Sequence, residues 1–125
     1  MSINAIGSPT GSSYSFGIIA SSSQLLFTSG IVSMSVDGKI IAPDNMEAQA
    51  RYVFDQIEKL LAEQNATLND VVKITTFVTD MSKYSEFSKV RSEVFSKPFP
   101  ASSTVGVNEL VKPGLLVEVE AIATV

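Results

Sequence analysis

Residues 69–81 read NDVVKITTFVTDM, and this stretch decides the fold. β-Branched and aromatic residues fill positions 71–78, a composition that predicts a strand packed on its neighbours. Asn69 and Asp70 before the strand are typical turn residues. Asp80 just after it is a typical first residue of a helix. The stretch therefore predicts a central strand that is followed by a helix.

A helix is predicted on each side of this strand. Before it, Asp44 and Glu47 have the spacing of a capping box, and apolar residues then recur at i, i+3, i+4 and i+7. We expect this first helix to end near Asn65, a residue type that tolerates a left-handed backbone. After the strand, Asp80 or Ser82 is predicted to cap the second helix. The second helix carries an apolar stripe of its own, formed by Tyr84, Phe87, Val90, Val94 and Phe95.

The remaining apolar segments predict further strands. A hairpin is expected over residues 14–32, with its turn at the serines of 21–23, and a short strand around 39–41. Two closing strands are expected at 103–107 and 115–125. The prediction is one α+β domain over residues 1–125, with a mixed six-stranded sheet and two helices on one face.

The composition limits the possible functions. The chain has no cysteine and no histidine, so thiolate and imidazole chemistry are both excluded. A net charge of −4 and an isoelectric point near 4.7 disfavour a nucleic-acid partner. No metal or cofactor motif is present, and the apolar runs are too short to cross a membrane. The first residues lack the segments of a signal peptide. We therefore expect a cytoplasmic protein with no metal, cofactor, nucleic-acid or membrane partner.

The predicted architecture leaves one face of the sheet uncovered. With both helices on one face, the chain supplies no cover for the other. Hydrophobic residues make up 45% of the chain and charged residues only 18%. A generous core or contact with another subunit would each account for this composition.

Two glutamates on the last predicted strand are the candidates for acid–base chemistry. Glu118 and Glu120 stand at i and i+2, so their side chains share one face. A carboxylate among apolar neighbours can serve as a general acid or base. The alternative interpretation is a solvated face, or pairing with cations at a subunit contact.

Several hydroxyls and one glycine are weaker candidates for a binding site. Ser102, Ser103 and Thr104 follow Pro-Ala at 100–101, and Ser29-Gly30 permits close approach of a ligand to the backbone. Tyr14 can present its phenol to a pocket. Without histidine no hydroxyl has an evident activating base, so structural roles are the favoured interpretation for all of them.

Five sequence blocks together resemble the RidA/YjgF family of small imine and enamine deaminases, whose members have also been labelled L-PSP endoribonucleases. The blocks occur in order over nearly the whole chain: LFTSG at 26–30, EAQAR at 47–51, NDVVK with TTFVTDM within 69–81, FPA with STV within 99–105, and VEVEAIA at 117–123.

The resemblance implies a chorismate-mutase-like fold and a homotrimer with a central barrel, with small-molecule clefts at the subunit boundaries. In deaminating members, a glutamate on the last strand positions the hydrolytic water, and Glu118 falls on it. Ser29 and Gly30 fall on a Ser-Gly pair that completes the cleft, and Thr104 falls on a cleft residue. Tyr14 matches the family's hairpin tyrosine; without a gap, Phe16 matches it instead.

The chain departs from the family pattern where the substrate carboxylate is held. Deaminating members carry an arginine in Pro-Ala-Arg-Ser, and Ser102 stands at its position. Ile31 replaces a glutamine and Ser88 a helix asparagine. No Lys or Arg close by in the sequence is expected to substitute, because the candidates considered, Lys97 and Lys112, are some distance along the chain.

Two functions stay open on these grounds. One is a hydrolytic deaminase of imines or enamines whose activity is altered or weak because Ser102 replaces the arginine. The other is a non-catalytic ligand-binding or interaction trimer. Ribonuclease activity is disfavoured by the acidic composition and the absence of histidine.

Overall fold

The computed structural model describes residues 2–7 and 9–125. This part of the chain forms seven strands and two α-helices. In chain order they are β1 (Ser2–Ile6), β2 (Gly17–Ser21), β3 (Leu25–Phe27), β4 (Ile31–Val32), α1 (Met46–Ala62), β5 (Val71–Val78), α2 (Tyr84–Val94), β6 (Ala101–Gly106) and β7 (Val117–Thr124). Two short 3₁₀ turns, Leu68–Asp70 and Met81–Lys83, precede β5 and α2.

The main sheet has five strands and is mixed, as expected. Its order is β3-β7-β5-β6, and β4 also pairs with β7. β5 and β6 run parallel, whereas β7 is antiparallel to β3, β4 and β5. β7 is eight residues long, so one of its edges can pair with β3 and β4 in succession while the other pairs with β5.

The hairpin expected over residues 14–32 is wrong. β2 pairs with β1 in a separate two-stranded sheet, and β3 pairs with β7. The serines between β2 and β3 therefore link two sheets instead of closing a turn. The strand expected around 39–41 is reduced to a single bridge between Met34 and Ile40. The predicted six-stranded sheet is thus a five-stranded sheet beside a two-stranded one.

Helix α1 begins one residue later than expected. Asn45 is the cap, because its side-chain oxygen accepts a hydrogen bond from the Ala48 amide at 3.0 Å. Asp44 adopts a left-handed φ of 59° instead, so the expected Asp44–Glu47 capping box does not form. Asn65 follows the helix with φ 57°, in agreement with the predicted stop.

Charged pairs connect the two helices on their exposed side. Glu47 pairs with Arg51 and with Lys89, each at 3.2 Å. The ammonium of Lys89, followed by the guanidinium of Arg51, holds the pKa of Glu47 below its ordinary value. Asp80 caps the 3₁₀ turn that leads into α2, and its carboxylate accepts from the Ser82 amide. The helix itself follows Lys83 without a side-chain cap, so the prediction that Asp80 or Ser82 caps α2 is wrong.

The core lies between the helices and one face of the main sheet. Phe54 of α1 stacks on Phe87 of α2, with ring centroids 5.8 Å apart, and meets Phe95 edge-on at 5.4 Å. From the sheet, Ile74, Val78, Val117 and Val119 are buried against these rings. The expected placement of both helices on one face is confirmed.

The opposite face of the sheet keeps large apolar side chains in solvent. Phe27 is 67% exposed, Leu25 51% and Val105 44%. The register places Phe27 beside Ile122, and Phe77 beside Val105. We call this surface the outer face. No helix in the described part of the chain is long and apolar enough to span a membrane.

Candidate functional site

Two of the predicted site residues, Glu118 on β7 and Ser102 on β6, point to opposite faces of the sheet. Glu118 of β7 is in register with Phe77 of β5, on the outer face. Ser102 of β6 is in register with Ile74, which is fully buried on the helix side. Because paired residues point to the same side of a sheet, Glu118 and Ser102 of one chain point away from each other.

The Glu118 carboxylate lies directly against the backbone of Gly30. A Cβ built at Gly30 would overlap a carboxylate oxygen and would lie 2.6 Å from the carboxyl carbon. Glycine therefore leaves room for the carboxylate in its observed position, and any larger residue would require the Glu118 side chain to move. Glu118 is half-buried, and no ion pair or hydrogen bond engages its carboxylate within residues 2–7 and 9–125.

A break between β3 and β4 brings Gly30 to this position. The Thr28 amide donates to the Ala121 carbonyl at 2.9 Å, and the Ala121 amide donates to the Thr28 hydroxyl at 2.9 Å. Ser29 is exposed in the break. Pairing with β7 resumes at Ile31, which lies beside Val119.

A cavity of about 340 Å³ opens next to this break. Gly30 and Ile31 line it, together with Val32, Met34, Gln56 and Leu60. Ile31 is in register with the buried Val119, so it lies with this cavity on the helix side, whereas Glu118 points to the outer face. The predicted residues Glu118 and Gly30, with the adjacent Ser29, form one group, which we call the carboxylate group.

A second group forms on the helix side of β6, around Tyr14. The Ser15 amide donates to the Pro100 carbonyl at 3.1 Å, and the Ser15 hydroxyl donates to the Phe99 carbonyl at 2.6 Å. These bonds hold Tyr14 beside the start of β6. Phe16 is 70% exposed and lines none of the cavities around this site.

Arg91 of α2 lies at the centre of this second group. Its side chain is only 3% exposed, and its guanidinium donates to four hydroxyl oxygens. Nε donates to Ser13 at 3.0 Å and Nη1 to Ser102 at 3.1 Å. Nη2 donates to Tyr84 at 3.1 Å and to Ser88 at 3.4 Å.

Three aromatic rings also surround the guanidinium. Its central carbon lies 5.3 Å from the ring centroid of Tyr14, 5.7 Å from that of Phe87 and 5.8 Å from that of Tyr84. These distances are within the range of a cation–π interaction. A cavity of about 340 Å³ lies beside Arg91, lined also by Tyr14, Met81, Tyr84, Ser102 and Thr104. Ser88 lines a neighbouring cavity of about 1030 Å³. We call this assembly the guanidinium group.

A cation does lie beside Ser102, although no Lys or Arg close by in the sequence was expected to substitute for the missing arginine. Arg91 is eleven positions earlier in the chain, but the helix and the strand bring the two side chains into hydrogen-bond contact. The sequence does contain a signal, because Arg91 stands seven residues after Tyr84 and four after Phe87. These positions place it on the apolar stripe of α2.

Ser103 does not join either group. It points to the outer face, in register with Thr75, and its hydroxyl accepts from the Lys73 ammonium at 2.8 Å. Ser102 and Thr104, which flank it, point to the helix side, where Thr104 is in register with Thr76. The row of three hydroxyls is therefore divided between the two faces by strand alternation.

The two groups have complementary chemical capacities. The carboxylate group offers an unpaired acceptor beside a glycine backbone, which suits the holding of a water molecule. The guanidinium group offers a buried cation and hydroxyls, which suit an anion.

Comparison with known proteins shows which family the chain belongs to. The model of the family described as Endoribonuclease L-PSP matches residues 5–125. A RutC family protein of Pyrococcus abyssi is 34% identical over 98 residues, covering 78% of this chain and 76% of its own. The 2-iminobutanoate/2-iminopropanoate deaminase of Dermatophagoides farinae is 31% identical over 100 residues, covering 80% and 77%.

A solved structure extends the similarity to the whole chain. The Rid family protein YyfB of Yersinia pestis, described as being of unknown function, superposes with a TM-score of 0.88 at 25% identity, and both chains are covered completely. The match of the family model over nearly the entire length, together with these relatives, places the chain in the RidA/YjgF family.

Proposed function

We propose that this protein is a hydrolytic deaminase of small reactive imines and enamines. The observation that carries the proposal is the Glu118 carboxylate, which is half-buried against Gly30 and has no other partner in the described chain. A relative of similar length is named for the deamination of 2-iminobutanoate and 2-iminopropanoate, which supports the same reaction class here.

In the proposed reaction, Glu118 holds a water molecule and accepts one of its protons while the water oxygen bonds to the imine carbon. The C=N bond becomes a single bond, and its electron pair goes to nitrogen, which takes up a proton from the solvent. Glu118 then returns its proton to the amino nitrogen. The C–N bond breaks, ammonia leaves, and the carbinol oxygen gives its proton back to the solvent as the carbonyl forms. An enamine substrate first becomes an imine by protonation at carbon.

The proposed site is a cleft between subunits of a homotrimer. The exposed apolar residues of the outer face, among them Leu25, Phe27 and Val105, support burial of that face by other copies of the chain. The opposed orientation of Glu118 and Ser102 supports a cleft to which one subunit supplies the carboxylate group and its neighbour the guanidinium group. The cytoplasm remains the proposed compartment, since the chain has no cysteine.

The test is ammonia release from 2-aminoacrylate, generated in situ by a serine dehydratase. We expect wild type to accelerate the release. Loss of a general base typically costs about 10²–10⁴-fold, and we expect a loss of this size for Glu118→Gln. Glu58→Gln, the same change on the exposed side of α1, is the matched control and retains the wild-type rate. A Glu118→Gln rate equal to that of wild type would refute the proposed role.

A second candidate is a ligand-binding trimer without catalysis. Ser102 in the arginine position favours it, because the family's own carboxylate-binding side chain is absent there. It would be supported by a wild type that binds small carboxylates but leaves the uncatalysed rate of ammonia release unchanged. The ribonuclease activity in the family's description is not proposed, because the chain is acidic and lacks histidine.

A further inference from the structure

We propose that Arg91, on helix α2, binds the carboxylate of the substrate in place of the arginine that is missing at position 102. This inference rests on the proposed function for its reaction and specifies the substrate class as anionic 2-imino acids. If so, the guanidinium that binds the substrate comes from α2 instead of from position 102 on β6. The altered activity would then follow from its different position and not from its absence.

Arg91 is a buried cation without a counter-charge. All of the chain's Asp and Glu residues lie in the described ranges, and none of them pairs with it. A desolvated charge is costly unless an opposite charge accompanies it. An anionic ligand in the adjacent cavity would supply that charge.

The groups around Arg91 can all donate hydrogen bonds to such a ligand. A guanidinium has five N–H groups, and four of them have hydroxyl acceptors, which leaves one at Nη1. Each hydroxyl oxygen accepts from Arg91, so its own proton points away and is available. An ionised carboxylate only accepts hydrogen bonds and therefore matches this set of donors.

Ser102 supplies a second hydrogen-bond donor for the substrate carboxylate beside the guanidinium. Its hydroxyl is only partly buried, accepts from Nη1 at 3.1 Å, and lines the same 340 Å³ cavity as the guanidinium. A carboxylate in this cavity can therefore receive the free N–H of Nη1 through one oxygen and the Ser102 hydroxyl proton through the other. The cavity volume is within the range of sites for small ligands.

The test measures binding alone, so that it does not depend on turnover. The probe is 2-oxobutanoate, the stable hydrolysis product of 2-iminobutanoate, titrated by NMR. Its methyl ester, which is one methyl group larger, is the neutral control. We expect wild type to bind the acid at least tenfold more tightly than the ester, and Arg91→Lys to lose most of that preference, because an ammonium lacks the planar fork.

Two further variants keep the test decisive if Arg91→Lys does not fold. Ser102→Ala keeps Arg91 and is expected to bind the acid several-fold more weakly, with no change for the ester. Arg51→Lys, the same replacement in an exposed ion pair, is the matched control and retains wild-type affinity. Equal affinity of wild type for acid and ester would overturn the inference. So would full acid affinity in a folded Arg91→Lys protein, or in Ser102→Ala.

Failure here is distinguishable from failure of the proposed function. Glu118→Gln is expected to retain acid binding and to lose ammonia release. If ammonia release depends on Glu118 while acid binding does not depend on Arg91, the reaction stands and this inference fails. If acid binding depends on Arg91 while Glu118→Gln keeps the wild-type rate, this inference stands and the proposed role of Glu118 fails.

Discussion

Replacement of Gly30 by alanine tests whether the position of the Glu118 carboxylate matters. The added Cβ would lie 2.6 Å from the Glu118 carboxyl carbon and 3.0 Å from its Cγ. Restoring ordinary contact requires the carboxylate to move by about 1 Å. A misplacement of about 1 Å in a positioned group can cost about 10²-fold in rate. Because Glu118 is a flexible side chain at the sheet surface, a rotation can relieve the overlap, and we expect the fold to be retained.

The assay is again ammonia release from 2-aminoacrylate, measured beside the thermal midpoint of each protein. Gly30→Ala should lose about 10²-fold in rate with a small change in midpoint. Gly17→Ala is the matched control, because its nearest neighbour would be the Ile6 Cβ at an ordinary 3.8 Å. A Gly30→Ala protein with the wild-type rate would refute the claim that this carboxylate must occupy its observed position.

Three further predictions concern the guanidinium, the helix pair and the core. Ser102→Arg places a second guanidinium beside that of Arg91. It should lower the free energy of unfolding, measured in urea, by about 2–4 kcal/mol and should not make ammonia release faster. A variant that is as stable as wild type and releases ammonia faster would contradict this. Lys89 lowers the pKa of Glu47 below its ordinary 4.5, so the pair stabilises the fold above that pH and the effect is lost as the pH falls through the lower folded value. Glu47→Gln should therefore flatten the thermal midpoint against pH in this acid range, and an unchanged profile would exclude the contribution. Phe54→Ala should cost about 3–5 kcal/mol in urea, because the ring is 1% exposed; a loss below 1 kcal/mol would show that the core refills the space.

The sequence predicted most elements whose partners are local or strongly patterned. The β-branched run at 71–78 forms β5 as expected, and the 3.6-residue periodicity located both helices. The failures came from long-range pairing. Leu25–Phe27 was correctly predicted as a strand, but its partner is β7, almost 100 residues later, and not the neighbouring β2. Short strands carry little information about which edge they join.

The candidate site, like the fold, could be predicted only where the pattern is local. The family pattern assigns both Glu118 and Gly30 to the cleft, but the close contact between the Glu118 carboxylate and the Gly30 backbone is visible only in three dimensions. Arg91 was not predicted, because it is eleven positions from Ser102 in the sequence and reaches it only through the packing of α2 against β6. Strand alternation would already have separated Ser103 from Ser102.

Mixing of two defective variants tests the central claim most directly. Glu118→Gln and Arg91→Lys, each expected to form the proposed trimer and to be nearly inactive, are unfolded together at equal concentration and refolded. If every cleft takes Glu118 from one subunit and Arg91 from its neighbour, about one quarter of the clefts in randomly mixed trimers contain both intact groups. We therefore expect recovery of about one quarter of the wild-type rate of ammonia release. Mixed trimers that form, as shown by two affinity tags, and that show no recovery would contradict it.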